Sequence, residues 1–311
     1  MDGKHSRDLG LFLFGNACIL LATIFWGVNV AVTKALIPEW MSANGISVVR
    51  LIGGAILFWL ASFFVKCQSI EKGDFIKIAS AGLLGLFAFI ALFVTSLRYG
   101  SAIDISIIMT LPPMFVIIMG ILFRHQRPLA LEYVGIVVSF IGAVIVILAG
   151  GGGTHKSPDP LWGDFLAICS CICYAFYLFI LQEPSHKYTP LSLLRWVFLF
   201  AAIPALLLVP GMQEMPILGA TSFVPWLEIG FILFCPTFFA YFLVQPAVKN
   251  IGSELTSLYQ YLLPVFAAIT AVIMGLEKLQ WVQALAMAVI ILGMVLTNIG
   301  KKKRKAQAHT A

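Results

Sequence analysis

Polar side chains are scarce in this chain, so those set inside its long apolar runs are the ones placed to do chemistry. Trp26, Asn29 and Thr33 stand at i, i+3 and i+7 and share one helical face. Asn29 carries an amide that hydrocarbon cannot satisfy; it either bonds to a neighbouring helix or faces a cavity. Tyr174 and Tyr177 form a comparable face in the second half of the chain, as cavity or packing aromatics. Asp104 and Glu254 open two apolar runs at nearly matching positions. A carboxylate there caps free backbone N–H groups, or it binds a substrate amine or carries a proton. Arg50 and Arg195 are each set well inside an apolar run. An arginine at that depth faces a cavity, a carboxylate or helix-end carbonyls, and in the first case it anchors a substrate carboxylate. Tyr241 and Gln245 share a face at i, i+4, and Tyr259 and Gln260 lie just before Pro264. Together these residues describe a polar, aromatic-lined pocket suited to a flat or zwitterionic solute. Pro112 and Pro264 free backbone carbonyls near the middle of their runs, and either hinge the helices or kink them for packing.

Other chemistries lack their residues. His5, His125, His155, His186 and His309 all fall in polar segments, so no intramembrane metal site is expected. Cys169, Cys171 and Cys173 alternate around one helix and cannot close on a single ion. No Gly-x4-Gly-Lys-[Ser/Thr] sequence is present, and neither a paired aspartate nor a Ser–His arrangement suits a protease. No ring of acidic residues suggests a channel. The expectation is a protein without cofactor or metal, driven by an ion gradient, with protons one candidate, or by the substrate gradient itself.

The elements that must hold these residues are membrane spans. Hydrophobic residues make up 60% of the 311 and charged residues 11%, too few to cover a soluble protein of this size, where about a quarter is usual. Ten apolar runs, near 13–36, 44–65, 76–97, 102–123, 131–150, 162–181, 191–209, 223–245, 254–275 and 280–299, approach the roughly 20 residues that cross a bilayer. The pattern is written twice. "GSAIDISIIMTLPPMFVIIMGILF" from Gly100 is echoed by "GSELTSLYQYLLPVFAAITAVIMGL" from Gly252, with Ser101 over Ser253 and Pro112 over Pro264. The expected organisation is a first five-helix repeat over 1–150, a connecting loop over 151–161, a second repeat over 162–300 and a basic tail over 301–311. Five spans per half make the copies inverted, with the substrate site between them. Fourteen of the 20 basic residues fall on the side of the amino terminus, three on the other and three within or at the ends of spans. Both termini are therefore expected in the cytoplasm of a cell whose inner (plasma) membrane holds the protein. The net charge of +6 reflects this bias rather than a nucleic-acid partner, and "KKKRK" over 301–305 reads as an anchor against anionic lipid. No cleavable signal is expected, because the first apolar run is long and lacks a small-residue cleavage site.

The chain resembles the EamA-type branch of the drug/metabolite transporter superfamily. "IFWGVNVAVTKAL", with Trp26, Gly27, Asn29 and Lys34, is similar to that family's first span, and Arg50 stands where its second span often has arginine. "LPPMFVIIMGIL" and "LLPVFAAITAVIMGLEKL" resemble the two copies of its proline-containing span. The second keeps Gly275 and Glu277, whereas the first has Arg124, His125, Gln126 and Arg127 where glutamate is usual. "CYAFYLFILQ" resembles the opening span of its second half. The resemblance implies an all-α membrane protein of ten transmembrane helices in two inverted five-helix repeats, a central cavity and alternating access. The expectation is an exporter of small organic metabolites such as amino acids. Alternatives are a drug or nucleobase carrier and an intramembrane lipid-modifying enzyme. Expected partners are a small-molecule substrate and the lipid bilayer, with homodimer formation left open.

Overall fold

The computed structural model describes residues 2–37, 39–125, 128–149, 157–212 and 215–310; the side chains of 2–9, 149, 245, 249, 252–255, 257, 258, 301 and 305–310 lie outside that description, as does most of the central break. Among the described residues ten apolar helices follow one another: α1 Asp2–Leu36, α2 Ala43–Phe64, α3 Lys72–Tyr99, α4 Ala102–Arg124, α5 Ala130–Ala149, α6 Pro160–Leu181, α7 Pro190–Met212, α8 Val224–Val248, α9 Gln260–Ile273 and α10 Trp281–Thr310. All but α9 contain a stretch long and apolar enough to cross a membrane, and no strand occurs among the described residues. Their starts are written locally. The Ser42 hydroxyl accepts from the Gly45 N–H ahead of α2, Asp159 from the Trp162 N–H ahead of α6, and Pro160 and Pro190 occupy first-turn positions that need no donor.

Four helix pairs join the two halves most extensively. α2 lies antiparallel on α7 and α5 on α10, while α1 packs on α8 and α3 on α6. Exchanging each helix for its counterpart five further on maps the first two pairs onto themselves and swaps the other two. This is the relation that two inverted five-helix copies require. The α5–α10 pair depends on glycine: a Cβ on Gly135 would meet the Gly293 carbonyl oxygen at 2.5 Å, and one on Gly293 would meet the Gly135 oxygen at 2.6 Å. Bare backbone lets these helices touch where lipid supplies no hydrophobic drive.

The counterparts α3 and α8 each contain a π-helical turn, Ala81–Leu86 and Cys235–Phe239. In α8 the cause is Pro236, which has no N–H for the Ile232 carbonyl; the Thr237 hydroxyl donates to that oxygen instead, at 2.8 Å.

One boundary differs from the sequence reading. The ninth run was expected to start at 254, matching the fourth at 102, but helical backbone continues from Ala240 through to Tyr259 and only then tightens into the 3₁₀ turn Gln260–Leu262. The first copy breaks at Gly100 because charged side chains hold it open. Lys34 Nζ donates to the Leu97 and Gly100 oxygens at 2.8 and 2.7 Å. Glu277 accepts from the Ala102 and Ile103 N–H groups and from the Ser101 hydroxyl at 2.6, 3.1 and 2.6 Å. The second copy has Gln182 where Lys34 stands and His125 where Glu277 stands. Arg124 there donates to Gln182 and Glu183 at 2.6 and 3.4 Å, and the second chain segment keeps its own helical bonds.

The face on which the chain begins and ends, here the terminal face, is joined by charge between α3 and the α6–α7 connection. Lys77 bonds Glu183 at 2.8 Å, and Lys187 bonds Asp74 at 2.9 Å. The Lys77 bond holds the Glu183 carboxyl below the usual carboxylate range, and Asp74 raises the Lys187 ammonium.

Candidate functional site

Between the halves lies a cavity of about 670 Å³ of non-protein space, part of it continuous with solvent. Its walls come from seven helices: Trp26, Asn29 and Val30 of α1, Arg50 of α2, Phe89 and Phe93 of α3, Met109 and Pro112 of α4, Tyr174 of α6, Tyr241 of α8, and Gln260 and Leu263 of α9.

Arg50 is the charge in this wall. It is buried, 6% exposed. Its Nε donates to the Thr237 hydroxyl at 3.3 Å, the same hydroxyl that serves the carbonyl freed by Pro236. Its guanidinium carbon lies 5.8 Å from the Phe93 ring centroid, and Nη1 has no partner among the described residues. No carboxylate is paired with it there. A guanidinium offers a planar fork of donors, so this one presents an unfilled position beside the cavity.

Aromatic rings build the remainder. The Trp26 indole N–H donates to the Pro236 oxygen at 3.1 Å, and its ring meets Tyr241 edge-on at 6.2 Å. Tyr174 leans on Phe89 at 4.6 Å. Asn29 accepts from the Thr33 hydroxyl at 3.3 Å and turns its amide to the cavity wall. Toward the face opposite the termini, Leu36, Ile46, Leu97, Ile103 and Ile107 are all buried.

Of the residues singled out in the sequence, Trp26, Asn29, Arg50, Pro112, Tyr174, Tyr241 and Gln260 meet in this cavity. Others lie elsewhere. Tyr177 stacks on Tyr174 at 5.6 Å but is buried against Gly85. Arg195 lies near the terminal face, its guanidinium carbon 5.4 Å from the Trp59 ring centroid and its Nη2 donating to the Gln68 oxygen at 3.4 Å. Tyr259 donates to Asn16 at 2.7 Å, away from the cavity. Pro264 is buried in the first turn of the helix Leu263–Ile273. Asp104 lies toward the opposite face, accepting from the Gln283 amide at 2.7 Å. The Gln245 and Glu254 side chains fall outside the described residues. Val30, Phe89, Phe93, Met109 and Leu263 complete the cavity without having been singled out. A phenylalanine pair at i, i+4 in an apolar run carries no mark separating a cavity wall from a lipid face. Among the described residues no group of His, Cys, Asp and Glu is arranged to hold a metal ion.

Comparison with known proteins places the chain in context. Residues 13–148 and 161–299 each match the EamA-like transporter family. An uncharacterized transporter of Bacillus subtilis, YyaM, is 29% identical over 285 residues, covering 89% of this chain and 91% of its own length. The uncharacterized inner membrane transporter YedA of Escherichia coli is 24% identical over 295 residues, covering 93% and 91%. A protein of known crystal structure superposes with a TM-score of 0.61 over 94% of this chain at 15% identity, a likeness of fold.

Proposed function

Because the chain belongs to the EamA-like transporter family, we propose that it is a secondary transporter that exports small organic metabolites, amino acids or related carboxylates, by alternating access through the central cavity. The observation that carries the reading is the buried Arg50 guanidinium, with Nη1 unpartnered at the wall of an aromatic-lined space. A substrate carboxylate supplies the partner this group lacks, and in a low-dielectric cavity such a charged bond is strong. Asn29 and Gln260 offer amide oxygens to a substrate ammonium. The faces of Trp26, Phe93 and Tyr174 suit its apolar or flat part, and a cation beside such rings gains further attraction. Cationic drugs fit less well, since no carboxylate lines the cavity among the described residues and Arg50 opposes positive charge. The basic bias of the loops supports an orientation with both termini in the cytoplasm.

The test is release of solute from vesicles holding the purified protein and loaded with a mixed pool of amino acids and related carboxylates. Wild type should release a subset of the pool. Arg50→Lys keeps the charge but loses the fork, and should slow that release at least tenfold, roughly 1.4 kcal/mol or more. Arg195→Lys should leave it within twofold. If no solute moves, or if Arg50→Lys matches wild type, the carboxylate reading falls.

A further inference from the structure

A second polar site lies away from the cavity, toward the face opposite the termini, where the two halves meet. Asp164 sits one turn inside α6 and is 1% exposed, and neither of its oxygens has a partner among the described residues. It is not the helix cap, since Asp159 already takes the Trp162 N–H at 3.1 Å. The start of α6 is pressed onto the α3–α4 break. The Asp159 N–H donates to the Tyr99 oxygen at 3.3 Å, and Gly163 touches the Gly100 backbone. Asp164 thereby sits beside the break from which α4 departs, with Asp104 in the first turn of α4. Asp104 is also 1% exposed; Oδ1 accepts from Gln283, and Oδ2 has no partner.

Every nearby charged group has other work. Lys34 of α1 is spent on the Leu97 and Gly100 carbonyls. Glu277, from the α9–α10 connection, is spent on the first turn of α4. Arg98 of α3 leans on the Tyr99 ring at 5.6 Å, and α10 contributes the neutral Gln283. The acidic and phenolic side chains of α5, Glu132 and Tyr133, lie at its other end, where Glu132 meets Arg304. Two ionised carboxylates without a counter-charge in so dry a place cost several kcal/mol each.

We propose that Asp164 and Asp104 are the coupling-ion site of the transporter and that their ligand is a proton, held on the pair when the opposite face is closed and released when it opens. The inference rests on the transport reading for its coupling, though proton binding can be read without any substrate. The chemistry is a single transfer: one carboxyl O–H bond breaks, the proton passes to water entering the opened seam, and a carboxylate remains. Closing the seam expels the water and reverses the step, so protonation and closure favour one another. Metal ions fit poorly, since the pair offers three free oxygens where a calcium ion takes six to eight.

The test uses the purified full chain in lipid nanodiscs and records the infrared C=O stretch of protonated carboxyls as pH rises. Wild type should show a buried carboxyl signal at neutral pH that titrates as one proton. Asp164→Asn and Asp104→Asn should each remove it, with the size-exclusion profile unchanged because asparagine has the shape of the neutral acid. Asp74→Asn, whose carboxylate bonds Lys187, should leave it in place. Asp164→Glu, which stays titratable, should restore a shifted band and serves if an asparagine variant fails to purify. The proposal is overturned if wild type shows no such band, if the band survives in both asparagine variants, or if sodium replacing potassium at fixed pH abolishes it. In the loaded vesicles, one pH unit across the membrane, acid outside, should slow solute release up to about tenfold in wild type and leave Asp164→Asn unchanged. Solute release indifferent to the gradient sinks the coupling and spares the transport reading. A protonated band with no solute release sinks the transport reading and spares the proton site.

Discussion

His125 ends α4 with φ of 48°, in the left-handed region; the corresponding helix ends instead on Gly275, two positions before Glu277, with φ of 66°. A side chain in that conformation costs roughly 1 kcal/mol, and glycine avoids it. His125→Gly should therefore raise the midpoint of thermal aggregation by about 2 °C, consistent with a gain near 1 kcal/mol. An unchanged or lower midpoint would show that His125 bears no strain. At this scale the cavity was partly legible. Trp26, Asn29, Arg50, Tyr174, Tyr241 and Gln260 stand out because a polar group in an apolar run needs a reason. Phe89 and Phe93 did not, because in sequence they look like the exposed Phe63 and Phe64. Asp164 was passed over for a different reason: its meaning depends on Asp104, sixty positions away and in the other half.

At the scale of elements, the run lengths and proline positions located most helix ends to within a few residues, because a span is bounded by where polar residues resume; the first and tenth helices instead run about eleven residues further into polar sequence, from Asp2 and to Thr310. The continuation of helix through Gly252 was not legible. It follows from Lys34 and Glu277 having no equivalents in the second copy, and their bonds to the first copy are tertiary. The α5–α10 contact tests the same reasoning about packing. Gly293→Leu puts a side chain into the Gly135 backbone and should destabilise the protein by about 1–3 kcal/mol, read as earlier thermal unfolding in detergent. Gly230→Leu points into open space and should change nothing measurable. Equal behaviour of the two variants would remove glycine contact as the basis of this pairing.

For the whole molecule, the inverted repeat puts both ends on one side, and the charge bias is the ground for proposing that this side is cytoplasmic. A reporter active only outside the cytoplasm should be silent when fused after Ala311 and active when inserted in the central break at Gly152. The reverse pattern at either site would overturn the orientation, and with it the assignment of Asp104 and Asp164 to the outer face.

The bonds of Lys34 and Glu277 occur once, not twice. Two copies of identical sequence would give a carrier whose two open states were mirror images of equal free energy, and an empty carrier would divide its time evenly between them. The charged hydrogen bonds of Lys34 and Glu277 at one mouth and those of Lys77, Lys187 and Arg124 at the other differ in partners, which removes that degeneracy. Even 1.5 kcal/mol, the lower range for one bond to a charged group, shifts the populations by about tenfold. Gradients alone still decide which way net flow runs. The imbalance decides where the unloaded protein waits, and so from which compartment it collects its cargo at the lower concentration.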